Sequence, residues 1–455
     1  MDATDQTIAV MISYFIVMIV IGAISAKRVT GLDEFHLAGR RVRYVMLTST
    51  ICATIVGASA TVGMAGLGFK EGLTGAWWML SGTVGLLVLS VFFAQKIRAK
   101  GCYTLPELIG TFYGEKVRTA SSLLIIISWI GVICVQIIAS GKVLNALFGG
   151  SEQMFMAASA LVFILYTVQG GQHSIVRTDL VQFVIILAGI VLLLSRTLDA
   201  TGLAFLKAQS FPVSPERDAV GVLSMILVVG STYLVGPDVY SRIFLAKDSD
   251  TARGSVMMAA LILVPLAFAI TILGISAKIL FPGIQAEQAL PVLMMGMLSP
   301  LERGIVGSAL LAAFMSSAAT PLMTATTTMA LDLYRKARPS SGVPELMRTS
   351  RLGAVTIGLA ALALALTGSG IIAMLFSVYT IFTSGMLVPV IGGFYKKKLG
   401  LTSLGALTAL VGGGLTGILW GKSYPLLGLA VSAVLLIVVS LIDRRHAKAG
   451  PATAS

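Results

Sequence analysis

Apolar runs of helix-spanning length follow one another along nearly the whole chain, and short polar stretches between them carry most of the charge. This pattern predicts an all-α membrane protein with about thirteen transmembrane helices. The spans fall near 8–26, 44–69, 75–95, 120–148, 153–169, 178–196, 219–237, 255–281, 303–331, 351–367, 369–394, 402–421 and 424–442. Within them the polar residues are small. The ninth span, LAAFMSSAATPLMTATTTMALDLY, places Ala313, Ser316, Ser317, Thr320, Thr324 and Thr327 on one helical face. Pro321 lies in mid-stripe and leaves the carbonyl of Ser317 without its helical donor. Such a stripe serves close helix packing, and for most of its residues that reading suffices. At Ser316 and Ser317, hydroxyls beside a loosened backbone suit a small hard cation.

Two spans carry the signs of interruption. The second has Gly57, Gly63, Gly66 and Gly68 with Thr54, Ser59 and Thr61; the seventh has Gly230, Ser231, Thr232 and then Gly236-Pro237. Unwinding is expected near Gly57 and Gly230. The two spans are five apart in order, and interrupted segments at matching places in two halves point to a transporter built from inverted repeats. The expected organisation is an N-terminal extra helix and loop (1–43), a core (44–394) of repeats at about 44–196 and 219–394, and two C-terminal helices with a short basic tail (395–455).

Composition agrees with a membrane domain. The 455 residues are 56% hydrophobic and 12% charged, half the charge of an average soluble domain, with a mean hydropathy of +0.93. The net charge of +13 reflects topology and not nucleic-acid binding. On thirteen spans, 25 of the 33 Lys and Arg fall on one side, which the positive-inside rule makes cytoplasmic; the N-terminus is then outside and the C-terminus inside the plasma membrane. Three cysteines lack metal or redox spacing, no phosphate-binding glycine loop occurs, and the N-terminus does not read as cleavable. The loops leave no room for a soluble domain, and three loop histidines far apart in sequence (His36, His173, His446) argue against an enzyme. No carboxylate is expected deep in a span. Asp179 stands where a loop enters the sixth span, as a helix N-terminal acid or on an ion path. Asp238 and Arg242 are expected to order the inner end of the seventh span, and Lys142 to snorkel to the outer surface.

Several pieces in fixed order (DEFHLAGRR, GASATVGMAGLGF, YTLPELIGTFYG, VQGGQHSIVRTDLVQ, GPDVYSRIFLAKDSDTAR and AAFMSSAATPLMTATTTMALDLYRK) resemble the sodium:solute symporter family over residues 8–442. The resemblance implies a LeuT-type fold of five plus five inverted helices. It also implies sodium-coupled import of a small organic solute by alternating access. It places a sodium site on Ala53, Val56, Ala313, Ser316 and Ser317, the first three through carbonyls and the serines through hydroxyls, and it puts Asp179 on the ion path. Sugar-carrying relatives have an acid–amide pair where this chain has Ser59-Ala60, and proline-carrying relatives an Asp in place of Ile55. The remaining cavity, of Gly57, Ser59, Gln136, Ser231, Thr232, Tyr233 and Tyr379, is neutral and rich in hydroxyls. A carboxylate or amino-acid-like solute, held by hydroxyls and freed N–H groups, is therefore expected over a neutral sugar or an amine. The partners expected are sodium, the solute and membrane lipid; oligomeric state is left open. The alternatives are a passive sodium or solute channel, or a sugar or proline symporter of the same family.

Overall fold

A computed structural model describes residues 3–27, 29, 31–368 and 370–449. Arg28, Ser369 and the tail 450–455 lie outside the described residues, as does the side chain of Lys448, although the charge and span arguments used them. The described residues are almost entirely helical: α1 (Ala3–Ala26), α2 (Leu32–Leu37), α3 (Tyr44–Ile55), α4 (Met64–Glu71), α5 (Trp77–Phe92), α6 (Glu115–Phe148), α7 (Glu152–Thr201), α8 (Ala219–Met225), α9 (Ser231–Val235), α10 (Pro237–Leu245), α11 (Ser249–Leu280), α12 (Pro300–Thr328), α13 (Val343–Ala365), α14 (Ile371–Phe394), α15 (Ser403–Trp420) and α16 (Leu427–Ala449). Local chemistry sets the ends. Asp218 caps α8 through Gly221 N–H, Asp248 caps α11 through Thr251 N–H, and Ser299 with Glu302 forms a capping box ahead of Pro300 at the start of α12.

Among the described residues, ten helical segments are long and apolar enough to cross a membrane. They include α7, whose 50 residues would run about 75 Å as one straight helix, far beyond a hydrocarbon core of about 30 Å. Its helix turns at Gly171, where φ is +52° and a Cβ would press on the carbonyl oxygen of Phe35. The loop expected around VQGGQH is thus a sharp turn that only glycine fits.

Helix α12 is the hub. It packs on α1, α6, α7 and α13 and is buried on every face, whereas α16 presents most of its surface outward. Small residues allow the close approach: Gly307 of α12 faces Leu147, and Gly304 faces Val10. The glycines of the second half of the second span do the same work. Gly66 lies against the backbone of Ala286, and Gly68 against that of Thr271. Helices α15 and α16 pack on each other and on α14, and α14 and α15 also pack on α6. Ile16, Val45, Ile127, Leu161, Val191 and Leu419 are exposed, as side chains facing lipid should be.

Candidate solute and cation site

Helix α3 stops at Ile55. Val56 leaves helical space (φ −80°, ψ 65°), the N–H of Gly57 turns back to Ile55 O at 2.9 Å, and the N–H of Ala58 donates to Gln136 Oε1 at 2.8 Å. Those two N–H groups would otherwise serve Ala53 O and Thr54 O, so both carbonyls lose their helical donors. The hydroxyls of α12 meet them. Ser316 Oγ lies 2.8 Å from Ala53 O, 2.9 Å from Ala312 O and 3.1 Å from Ala313 O. Ser317 Oγ lies 3.2 Å from Ala53 O and 2.8 Å from Thr54 O. Two hydroxyl protons thus face four carbonyl oxygens in a place sealed from solvent, since Ala53, Val56, Ala313, Ser316 and Ser317 are all buried. Such a cluster has surplus acceptor capacity and suits a cation of the hard, oxygen-seeking kind. Val56 stands at the turn, and its carbonyl is not one that these hydroxyls reach.

Beside this cluster is a cavity of about 30 Å³ lined by Gly57, Ser59, Gln136, Thr232, Tyr233 and Tyr379, with Trp129, Asp238, Ser317 and Leu375 among the other walls. Ser231 does not line it; adjacent helical positions point about 100° apart, and Thr232 takes the inward place. Three expectations change here. Gly230 is not unwound: residues 226–230 form a π-helical turn, and a Cβ on Gly230 would sit 2.7 Å from Ser81 O, so this glycine serves packing. The seventh span breaks instead at Gly236 (φ −63°, ψ 124°), and α10 restarts at Pro237. The restart brings Asp238 to the cavity wall, so the cavity is not neutral. Finally, the N–H freed at Ala58 is already satisfied by Gln136 and is not waiting for a solute carboxylate.

Toward the end of the bundle that carries the Arg-rich loops, carboxylates and a guanidinium are fully buried. Asp179 Oδ2 accepts from Thr50 and, at 3.1 Å, from Arg242 Nη2. Arg242 also donates to Gln172 Oε1 at 2.6 Å and to the hydroxyl of Thr320. Thr54 lies between the two regions: its carbonyl receives Ser317, and its hydroxyl lies 3.2 Å from that of Thr320. A continuous polar track therefore joins the cation cluster to Asp179. Farther along, Thr327 Oγ1 meets His36 Nδ1 at 2.8 Å and Arg118 pairs with the buried Asp332 at 2.7 Å. His36 lies in the short helix α2, not in a loop, and is a buried clasp between α2 and α12. The lower stripe of α12 thus has polar partners beyond simple packing.

At the opposite end a vestibule of about 470 Å³ is lined by Gly66, Glu71, Trp78, Arg217, Glu287 and Phe376. Trp78 stacks on Tyr379 at 6.2 Å between the vestibule and the small cavity. Arg217 forks onto both oxygens of Glu71 at 2.7 Å. Lys142 pairs with Glu287, whose other oxygen accepts Ile371 N–H at 2.8 Å. Lys142 is thus held by a partner and does not merely snorkel. Sequence reasoning missed Trp129 and Gln172, and it gave Asp238 and Arg242 only the ordering of a helix end, not a place at the cavity wall and in a buried ion pair. The available signal was GPD, since a helix restarted by Gly-Pro aims its first turn at the gap.

A membrane bundle with two helices broken beside a central cavity, and an oxygen cluster at one break, is the architecture of an alternating-access secondary transporter. The sequence pattern of the sodium:solute symporter family matches residues 35–413, and the chain belongs to that family. It is 26% identical to the osmoregulated proline transporter OpuE of Bacillus subtilis (strain 168), over 96% of this chain and 94% of that one. It is 25% identical to the sodium/glucose cotransporter of Vibrio parahaemolyticus, over 83% and 77% respectively. Its fold is similar to that of a sodium-coupled sialic acid symporter in a substrate-bound, outward-open state (TM-score 0.83, 16% identity, 96% and 98% of the two chains). The fold is the LeuT-type five-plus-five arrangement, and the protein is a sodium-coupled symporter.

Proposed function

We propose that sodium is bound by the carbonyls of Ala53, Val56 and Ala313 with the hydroxyls of Ser316 and Ser317, and that a small organic solute occupies the cavity of Gly57, Ser59, Gln136, Thr232, Tyr233 and Tyr379. The observation that carries this reading is the set of four carbonyls, of Ala53, Thr54, Ala312 and Ala313, sharing two buried hydroxyls at the first helix break. Cation and solute would then meet through Gly57 and Ser317, which touch both places, and this contact is the physical basis for coupling. Asp179, on the polar track from Thr54, serves sodium release. The vestibule end faces outward, the Arg-rich end faces the cytoplasm, and thirteen crossings put the N-terminus outside. The protein works by transport without catalytic chemistry.

Two measurements test this. In purified protein, Ser316→Ala with Ser317→Ala removes two oxygen ligands at about 1–3 kcal/mol each, so the sodium concentration giving half-maximal thermal stabilisation should rise well over tenfold while expression holds. Unchanged sodium dependence would leave the serines as packing residues only. For orientation, a cysteine replacing Ser341, in the loop that holds Arg335, Lys336, Arg338, Arg348 and Arg351, should resist impermeant thiol reagents applied to intact cells. Labelling from outside would invert the proposed topology.

A further inference from the structure

Among the residues lining the central cavity, Asp238 is the one with a formal charge. Its neighbour one turn along, Arg242, does not line the cavity and is committed to Asp179, Gln172 and Thr320. Among the described residues no Lys, Arg or His forms an ion pair with Asp238. Its local duty is slight: Oδ1 accepts Val239 N–H at 2.9 Å in the first turn of α10. A serine or asparagine oxygen could accept that N–H as well. Arg242 acts on Asp238 only from a distance, without direct contact; a negative charge on the wall of a dehydrated cavity, with no cation in contact, is costly unless something that enters pairs with it.

The rest of the wall fits the same occupant. Trp129, Tyr233 and Tyr379 present aromatic surface, which attracts a cationic nitrogen through the ring quadrupole. Trp129 is buried, and its Nε1–H has no hydrogen-bond partner among the described residues. The cavity thus has a carboxylate with no cation in contact and a wall tryptophan whose indole N–H has no acceptor among the described residues. Resting on the reading of this cavity as the solute site, we infer that the transported solute is a compact zwitterion whose positively charged nitrogen pairs with Asp238. A simple carboxylate would meet Asp238 as a like charge, and a neutral sugar would leave it unpaired.

The test uses purified full-length protein at saturating sodium and matched probes that differ in the nitrogen: L-proline against cyclopentanecarboxylate, and L-alanine against propionate, with D-glucose as the neutral probe. Thermal stabilisation should appear with an amino acid and not with its nitrogen-free partner. Asp238→Asn should weaken the response to that amino acid by about 10- to 150-fold, the range for losing a charged hydrogen bond. The shift given by sodium alone should remain, which shows that the variant is folded. Asp238→Glu, which keeps the charge, should keep the nitrogen preference at reduced affinity. The inference is overturned by equal responses to a matched pair, by glucose as the one active probe, by silence of both amino acids, or by an unchanged amino-acid response in Asp238→Asn. Loss of the sodium shift in Asp238→Asn with its retention in Asp238→Glu would make Asp238 a cation ligand and overturn it as well. Absence of any sodium shift in the unaltered protein is a different failure, one of the sodium-site reading.

Discussion

The two broken helices both border the central cavity, yet their chemistry is opposite. The first break, at Val56–Ala58, contains no charge; its unsatisfied groups are backbone carbonyls, and α12 supplies hydroxyls to them. The second, at Gly236, contains charge on both sides of one helical turn, with Asp238 at the cavity and Arg242 locked to Asp179. The two breaks therefore share a gap in the backbone and not the groups placed in it. One break makes acceptors by removing N–H donors, and the other brings side-chain ions. That division lets a cation and a solute be recognised side by side by different means.

The sharpest way to break this comparison is at Gly57. Considered from the chain alone, Gly57→Leu would block solute and spare sodium. The structure reverses that expectation, because a Cβ there would lie 2.5 Å from both Cβ and Oγ of Ser317 and 2.8 Å from Gln136 Oε1. Gly57→Leu should abolish both solute uptake and sodium-induced stabilisation. Retained sodium stabilisation with uptake lost would show that the cation cluster is independent of the first break.

At the second break the expected effect is smaller but still large. Arg242→Gln leaves Asp179 buried without its ion partner, and loss of one member of a buried pair costs about 3–5 kcal/mol. A marked fall in the unfolding midpoint should follow, with partial recovery in the Arg242→Gln, Asp179→Asn double variant. If the double variant were no better than the single, the ion pair would not be the source of the loss.

The smallest effect lies away from both breaks, where the stripe of α12 reaches His36. Burial pushes this imidazole down to about 3, with Asp33 opposing the shift. Below an unfolded value of about 6.5 the unfolded chain takes up a proton that the folded one refuses, so stability present at neutral pH declines as the pH falls toward 3. The slope is about 1.4 kcal/mol per pH unit. Between pH 7 and 5 the unaltered protein should lose about 2 kcal/mol more than His36→Gln, read from paired thermal unfolding curves. Parallel curves would show that His36 takes its proton while folded.

Much of this was legible in the chain. Hydropathy fixes where helices lie, because a bilayer leaves the backbone few other ways to satisfy itself. The spacing of Ser316 and Ser317 on one face, and the loss of helical continuity at Gly57, follow from helix geometry and can be read without coordinates. The second break was less legible. Gly230 and Gly236-Pro237 both interrupt the pattern, but only the packing of Gly230 on Ser81 shows that the former is a contact and the latter a break.

Sequence by itself thus determined the membrane helices, their clustering of small polar groups and the membership in a sodium-coupled family, since these depend on local periodicity and ordered motifs. Tertiary structure alone decided which charges face which space. Asp238 and Arg242 are four residues apart on one short helix, yet one lines the cavity and the other is sealed against Asp179. Their separation depends on α3, α7 and α12 meeting around α10, and long-range packing of that kind leaves no mark in the periodicity of any single segment.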